Sequence, residues 1–236
     1  MIKRINSPEE LCDLPKSGIE AQKIRALLYG YGTNYDFCRF FTAKNLIMAR
    51  FYDDFILCTY GEIGEIDFEE LCGFLNFSGF SRLFCSENTG EILSEKLPRS
   101  YLRLNLMRFS GDFVQSAEKI EQPSLDEAYK VLKTSFKLEF EPWYLDMSHR
   151  IRHGISRIYG ICGSVLAVQH NLFGEALLSQ IATIPEKRGN GNASRLISAV
   201  CRELCESKVF VLCEDSLLTF YAKNGFELCG INYELF

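Results

Sequence analysis

The sequence predicts an α/β protein, a mixed sheet of α+β character with helices on its faces, built in two parts. Three observations carry this. From residue 112 onward, strand-like and helix-like patterns follow one another in the order β-α-α-β-β-β-α-β-α-β. Around SGDFVQSAEKIEQPS the hydrophobic density falls and charged and small residues take over, which marks a boundary. Before that boundary the chain runs helix, hairpin, helix, strand, a shorter series of the same kind. The expected division is an α+β domain over residues 1–111 and a larger domain over residues 112–236, the first suspected to be a degenerate copy of the second.

Bulk properties narrow the class of partner. With 47% hydrophobic and 24% charged residues in 236, there is ample material for a core. A formal net charge of -5 gives no broad attraction to nucleic acid or anionic membranes, which reward clustered Lys and Arg. After Lys3 and Arg4 comes NSPEELCDLP, with no apolar core of a signal peptide, and no apolar run reaches the ~18 residues of a membrane span. Neither nucleic acid nor membrane is an expected partner. The ten cysteines include no C-x-x-C pair and sit mostly among apolar neighbours, so they read as small buried hydrophobes of a reducing, cytoplasmic compartment.

The elements follow in order. GIEAQKIRALLYGYG places Ile19, Ile24, Leu27 and Leu28 near helical spacing. NLIMARF and DFILCTY flank an Asp-Asp tip around residues 52–54 as an antiparallel hairpin. FEELCGFLNFSG reads as a helix ended by Gly79, RLFCS as a buried strand, and SYLRLNLMRF as a half-buried strand alternating at Leu102, Leu104 and Leu106. A short strand is expected within 115–121. Ser124 and Glu127 then form a capping box that opens SLDEAYKVLKTSF. The helix EPWYLDMSHRIRHG carries Trp143, Met147 and Ile151 at four-residue steps and ends at Gly154. ISRIYGICG and SVLAVQH form a hairpin, ALLSQIAT a third strand, and a helix at 192–205, KVFVLC, a helix SLLTFYAKN closed by Gly225 and a strand NYELF complete the chain.

One junction carries chemistry. Pro185 cannot donate to a ladder and stops the strand ending at Thr183, while Gly189 and Gly191 tolerate positive φ and let a ligand approach bare backbone. The helix that follows has an inward stripe of Ala193, Leu196, Ile197, Val200, Cys201 and Leu204. Its first turn leaves unpaired N–H groups and the positive dipole end facing the loop, beside Lys187 and Arg188, a combination suited to a diphosphate. A tight strand-to-helix turn accounts for Gly-x-Gly alone. The P-loop needs Gly-Lys-Ser/Thr where this chain has Gly191, Asn192 and Ala193, and the dinucleotide fingerprint needs a third glycine.

The pattern Arg-x-x-Gly-x-Gly/Ala is met by Arg188, Gly191 and Ala193, and FYAKNGFEL follows about 30 residues later with one strand between. At these two motifs the sequence resembles the GNAT superfamily of N-acetyltransferases, over roughly residues 112–236. The resemblance implies the GNAT acyl-CoA acyltransferase fold for that half, with acetyl-CoA as co-substrate. It further implies that the strand before the loop splays from strand 208–213. Backbone groups of Ile181, Ala182 and Thr183 would then pair with the pantetheine arm, and amides of Arg188, Gly189, Asn190, Gly191, Asn192 and Ala193 would hold the diphosphate. The reaction implied is acetyl transfer to a primary amine of a small molecule or peptide by direct attack; the alternative is an acyl-CoA-binding sensor without catalysis.

Acyl transfer needs a group to take the amine's proton and one to protonate the departing thiolate. Tyr221, before Gly225 and Phe226, matches the family's recurrent tyrosine acid, although it also shares a helix face with Leu217 and Phe220 as core aromatics do. Where many family members place a Glu within the strand before the loop, this chain has Ser179 and Gln180. Glu175 at the strand's start and Asp146 on the helix EPWYLDMSHRIRHG are the candidate bases, each acting through a water, or solvated surface groups. Glu214 stands seven residues before Tyr221, where the family often has an Asn against the pantetheine arm. No metal is expected: Cys201 with Cys205, and His149 with His153, each lack a further ligand pair.

Overall fold

A computed structural model describes residues 1–112 and 119–236. The chain runs β1 (Lys3–Ile5), α1 (Ile19–Tyr31), β2 (Cys38–Ala43), β3 (Leu46–Phe51), β4 (Asp54–Thr59), α2 (Phe68–Ser78), β5 (Arg82–Ser86), α3 (Glu87–Lys96) and β6 (Tyr101–Phe109). It continues with α4 (Leu125–Leu132), α5 (Phe140–Arg152), β7 (Arg157–Ile161), β8 (Ser164–Leu172), β9 (Glu175–Thr183), α6 (Asn192–Glu203), β10 (Lys208–Cys213), α7 (Leu218–Lys223) and β11 (Phe226–Leu235). This is the mixed α/β class the sequence predicts, with parallel and antiparallel pairs in one fold. The strand expected within 115–121 falls largely on residues outside the described ones; at its end Glu121 makes an isolated antiparallel bridge to Gly160.

Two compact units emerge, Met1–Asn105 with Gly230–Phe236, and Leu106–Cys229. The division thus falls within β6, six residues before the boundary at 111/112 expected from composition, and the last seven residues return to the first unit. Composition does not register this, because β6 (YLRLNLMRF) keeps the same alternation of apolar and polar residues on both sides of the division.

In the first unit the strands run β1-β2-β3-β4-β5-β11. The hairpin predicted around the Asp-Asp tip is present, with β3 and β4 in register from Leu46↔Thr59 to Phe51↔Asp54 and Tyr52 at φ 53° in the turn. Three elements are not among those the sequence predicts: β1, which is only three residues long, β2 and α3. β2 was hidden because its burial alternates only at Cys38 and Phe40, and α3 because its sequence ENTGEILSEK is polar and buries only Thr89, Gly90 and Leu93.

In the second unit α6 covers one sheet face with Leu196, Ile197, Val200 and Cys201, against Leu166, Val168, Ala176, Leu178, Val209 and Val211. The other face meets α4 and α5 through Ala128, Leu132, Trp143 and Met147 against Val165, Ala167 and Ala182. Alternation along β8 follows from the pleat, odd positions to one side and even to the other. Along β9 it does not: Ala176 and Leu178 face α6, yet Ala182 faces the opposite side. A β-bulge explains the switch, since the β8–β9 register slips between Val165 and Ala167 and Gln180 sits at φ 46°. Two side-chain placements differ from expectation: Ile151 is exposed rather than inward, and Ala193 lies at the margin of the helix's buried stripe, with Asn192 buried beside it.

Six cysteines are buried, while Cys12, Cys162, Cys205 and Cys229 are exposed, so the expectation of burial fails for Cys162 in the β7–β8 turn, Cys205 beyond the end of α6 and Cys229 on β11. Burial pushes the Cys58 and Cys201 thiols up to about 12, and Cys213, with Asp215 and Glu214 adding to the effect, up to about 11. Because the thiolate is the reactive form, Ellman's reagent at pH 8 is expected to titrate Cys12, Cys162 and Cys205 rapidly in the native chain, Cys229, whose thiol burial pushes up, more slowly, and all ten after unfolding. Rapid native reaction of more than four would contradict this packing.

Among the described residues no helix is long and apolar enough to cross a membrane, and no group of three His, Cys, Asp or Glu could hold a metal ion. His149 and His153 stack with ring centroids 4.2 Å apart, and His153 Nδ1 lies 2.9 Å from the His149 carbonyl.

Candidate active site

β9 and β10 are parallel and in register only from Lys208↔Glu175 to Val211↔Leu178. Beyond Leu178 the pairing stops, although β9 continues to Thr183 and β10 to Cys213. The bulge at Gln180 coincides with this divergence: the extra residue twists β9 away while its other edge stays paired to β8 through Ser179↔Ala167, Ala182↔Val165 and Thr183↔Ser164. The result is a strand edge with backbone groups available to a ligand.

Where β9 ends, Pro185–Lys187 forms a 3-10 turn and the chain passes Gly189 and Gly191, both at positive φ (77° and 70°), into α6. The first hydrogen bond of α6 is from Arg195 N–H to the Gly191 carbonyl at 3.0 Å, so the amides of Asn192, Ala193 and Ser194 precede it at the positive end of the dipole. A cavity of about 370 Å³ opens here, lined by Ser135, Ile181, Ala182, Thr183, Lys187, Arg188, Gly189, Gly191, Asn192, Ala193, Ser194 and Phe220. Every loop and strand residue expected at the cofactor except Asn190 lies on this one surface. Arg188 is held across its mouth, donating from Nε to the Thr183 carbonyl at 3.0 Å and from Nη2 to the Ser135 hydroxyl at 3.2 Å. No carboxylate is among the lining residues, and two cations are.

The three candidate proton-transfer residues are placed differently. Tyr221 is buried on α7, edge-on to Phe220 and Phe226; it is itself not among the lining residues, although the adjacent Phe220 is. Burial pushes the phenol's pKa well above its ordinary value, with the Cys213 thiol at the end of β10 adding a smaller push. Among the described residues its hydroxyl has no hydrogen-bond partner.

Neither carboxylate reaches the cavity. Glu175 is buried rather than a solvated surface group, and it sits at the far end of β9, roughly 25 Å along the strand from Thr183. Asp146 is committed to Arg150: its Oδ1 accepts from the guanidinium Nε at 2.7 Å, and Arg150 is only 7% exposed. A carboxylate that compensates a buried guanidinium is poorly placed to exchange protons with a substrate.

Three lining residues lie outside the sequence expectation: Ser135, Ser194, one position beyond the expected loop amides, and Phe220. Ser135 carried no signal, since it lies 53 positions from the Arg188 it touches. Phe220 was legible as the residue before Tyr221 but was read as core. Gln180, noted in the sequence only as a poor base, accepts a hydrogen bond from Trp143 Nε1 at 2.9 Å and is thereby fixed at the bulge.

No protein-family model and no curated protein matches this sequence. Solved structures do match it. An acetyltransferase from the GNAT family from Colwellia psychrerythraea is 10% identical and superposes with a TM-score of 0.62 over 100% of this chain and 98% of that one. A GCN5-related N-acetyltransferase from Kribbella flavida is 13% identical, with a TM-score of 0.63 over 92% and 95%. Another, from Sphaerobacter thermophilus, is 13% identical, with a TM-score of 0.59 over 91% and 84%. At these identities the likeness concerns the fold, and for the Colwellia protein it spans both units. The chain has the fold of the GNAT superfamily of acetyltransferases.

Proposed function

We propose that the second unit is an acyl-CoA-dependent N-acyltransferase that moves acetyl from acetyl-CoA to a primary amine of a small molecule or peptide. One observation carries the reading: the open amides at the start of α6, with Lys187 and Arg188, share a cavity with the unpaired edge of β9. Anionic diphosphate suits the first and an amide-bearing arm suits the second. The acyl carbon would then lie where β9 and β10 part. There the amine nitrogen bonds to the carbonyl carbon, the carbon–sulfur bond breaks, and the thiolate takes a proton from Tyr221, whose buried phenol is protonated at neutral pH before the step and regains its proton from water after it. The amine's own proton passes to water, consistent with a cavity lined by no carboxylate. Much of the rate comes from holding the two reactants in contact.

The first unit is proposed to be a degenerate copy. In chain order, two successive stretches run an antiparallel three-strand meander, a helix, a parallel strand, a second helix and a final strand: β2-β3-β4-α2-β5-α3-β6 and β7-β8-β9-α6-β10-α7-β11. In both, the parallel pair parts midway; β4 and β5 pair only from Asp54↔Arg82 to Ile56↔Phe84. Here, though, the gap is closed by hydroxyls, Thr59 to Thr89 at 3.0 Å and Thr89 to Ser86 at 3.2 Å. The segment leading into α2 carries Glu62, Glu65 and Asp67, and Asp67 itself accepts the Glu70 N–H at 2.9 Å. An anion would meet like charge and an occupied helix end.

Calorimetry on the whole chain is expected to register one acetyl-CoA bound per chain. Two per chain would sink the degenerate-copy reading, and none would sink the acyltransferase.

A further inference from the structure

The two glycines of the loop do not by themselves fix its shape. Gly189 and Gly191 both have left-handed backbone with open space where a Cβ would lie, so local sterics permit many conformations. The restraint comes from the turn between β7 and β8, which runs through Cys162 at φ 48° and Gly163 at φ 80°. Positive φ at both central residues is the signature of a tight type I′ hairpin.

Three hydrogen bonds bind this turn to the end of β9 and to α6, and Asn192 makes two more within the loop and helix. Ile184 N–H donates to the Gly163 carbonyl at 3.0 Å, and the Ser164 and Thr183 hydroxyls are 2.7 Å apart. Asn192, 5% exposed, donates from Nδ2 to the Lys187 carbonyl at 3.1 Å and to the Cys162 carbonyl at 3.5 Å. Its Oδ1 accepts from the Arg195 guanidinium. One buried side chain therefore joins three segments: the hairpin, the strand-to-loop junction and the helix. The Lys187 stem meanwhile lies directly on the bare backbone of Gly163. A Cβ there would stand 2.9 Å from Lys187 Cδ and 3.0 Å from Ile184 Cδ1.

We propose that Asn192 and Gly163 are positioning residues for the diphosphate subsite. Asn192 spends its side chain on holding the loop rather than on the ligand, and Gly163 provides the floor across which Lys187 reaches the anion. Both act through preorganisation: amides and ammonium already stand where the charge will be, so binding need not order a glycine-rich loop. This rests on the acyl-CoA reading of the cavity.

A double-mutant cycle tests it, with the affinity of the whole chain for acetyl-CoA measured by calorimetry. Gly163→Ala and Lys187→Ala are each expected to weaken binding about tenfold, because misplacing a fixed charge by about 1 Å is costly. The double variant should bind no more weakly than Lys187→Ala alone, since both changes remove one interaction. Asn192→Ala, combined with Lys187→Ala in the same way, is expected to show the same shortfall from multiplied losses and carries the test should Gly163→Ala fail to fold. Losses that multiply, or single variants that bind as the parent does, overturn the proposal. Absence of binding by the parent chain instead overturns the acyl-CoA reading.

Discussion

Gly191→Asp is expected to weaken acetyl-CoA binding by on the order of a hundredfold, corresponding to about 3 kcal/mol for like charges ~5 Å apart at an effective dielectric near 20. The substitution is chosen for what it leaves alone. Gly191 has φ 70° and nothing within 4 Å of its Cβ position, so a Cβ there meets open space. Aspartate visits the left-handed region at a cost of about 1–2 kcal/mol, and a carboxylate beside the first turn of α6 recovers part of this by interacting with the dipole. The chain should therefore remain folded, with a thermal midpoint within a few degrees of the parent, while its affinity collapses. Such a chain would reproduce in the second unit what Asp67 does at the start of α2 in the first. Calorimetry with unchanged affinity would place the diphosphate elsewhere.

For Tyr221→Phe the expected loss is in turnover, on the order of a hundredfold in kcat, with the dissociation constant of acetyl-CoA unchanged. Removing the hydroxyl breaks no hydrogen bond among the described residues, and the ring's contacts with Phe220 and Phe226 survive, so stability should barely move. The pH dependence has a definite sign. Burial raises the phenol's pKa above its ordinary value near 10, so the protonated form persists across the physiological range. Turnover by the parent chain should accordingly rise with pH as the amine substrate loses its own proton, and should show no tyrosine-linked decline below pH 10. Stability follows the same linkage: the folded chain holds this proton more tightly than the unfolded one, so the contribution is complete below pH 10 and is lost as pH rises through the folded value. A Phe variant that turns over at the parent rate in a stopped-flow assay of thiol release, on any amine the parent accepts, would leave Tyr221 as a core aromatic only.

The two carboxylates show where sequence reasoning ran out. Glu175 and Asp146 were attractive because a base was needed and each lay on an element expected near the cleft. Position along an element is not position in space: Glu175 is on the right strand at the wrong end, and Asp146 faces Arg150 one turn away. With neither at the cavity, the reaction proposed for this protein relies on positioning and on the amine's own ionisation more than on a dedicated base.

The sequence by itself determined the α/β class, most elements of the second unit and the loop at 188–193, because these depend on local physics: hydrophobic period, the freedom of Gly189 and Gly191, the missing donor of Pro185 and the unpaired amides that begin any helix. Only the tertiary structure decided the rest. It brought Ser135 to Arg188 and bulged β9 at Gln180. It laid Lys187 over Gly163 and returned the last seven residues to the first unit. Each is a contact between segments distant in sequence, set by how cores close and strands twist, and no periodicity in a single chain segment encodes it.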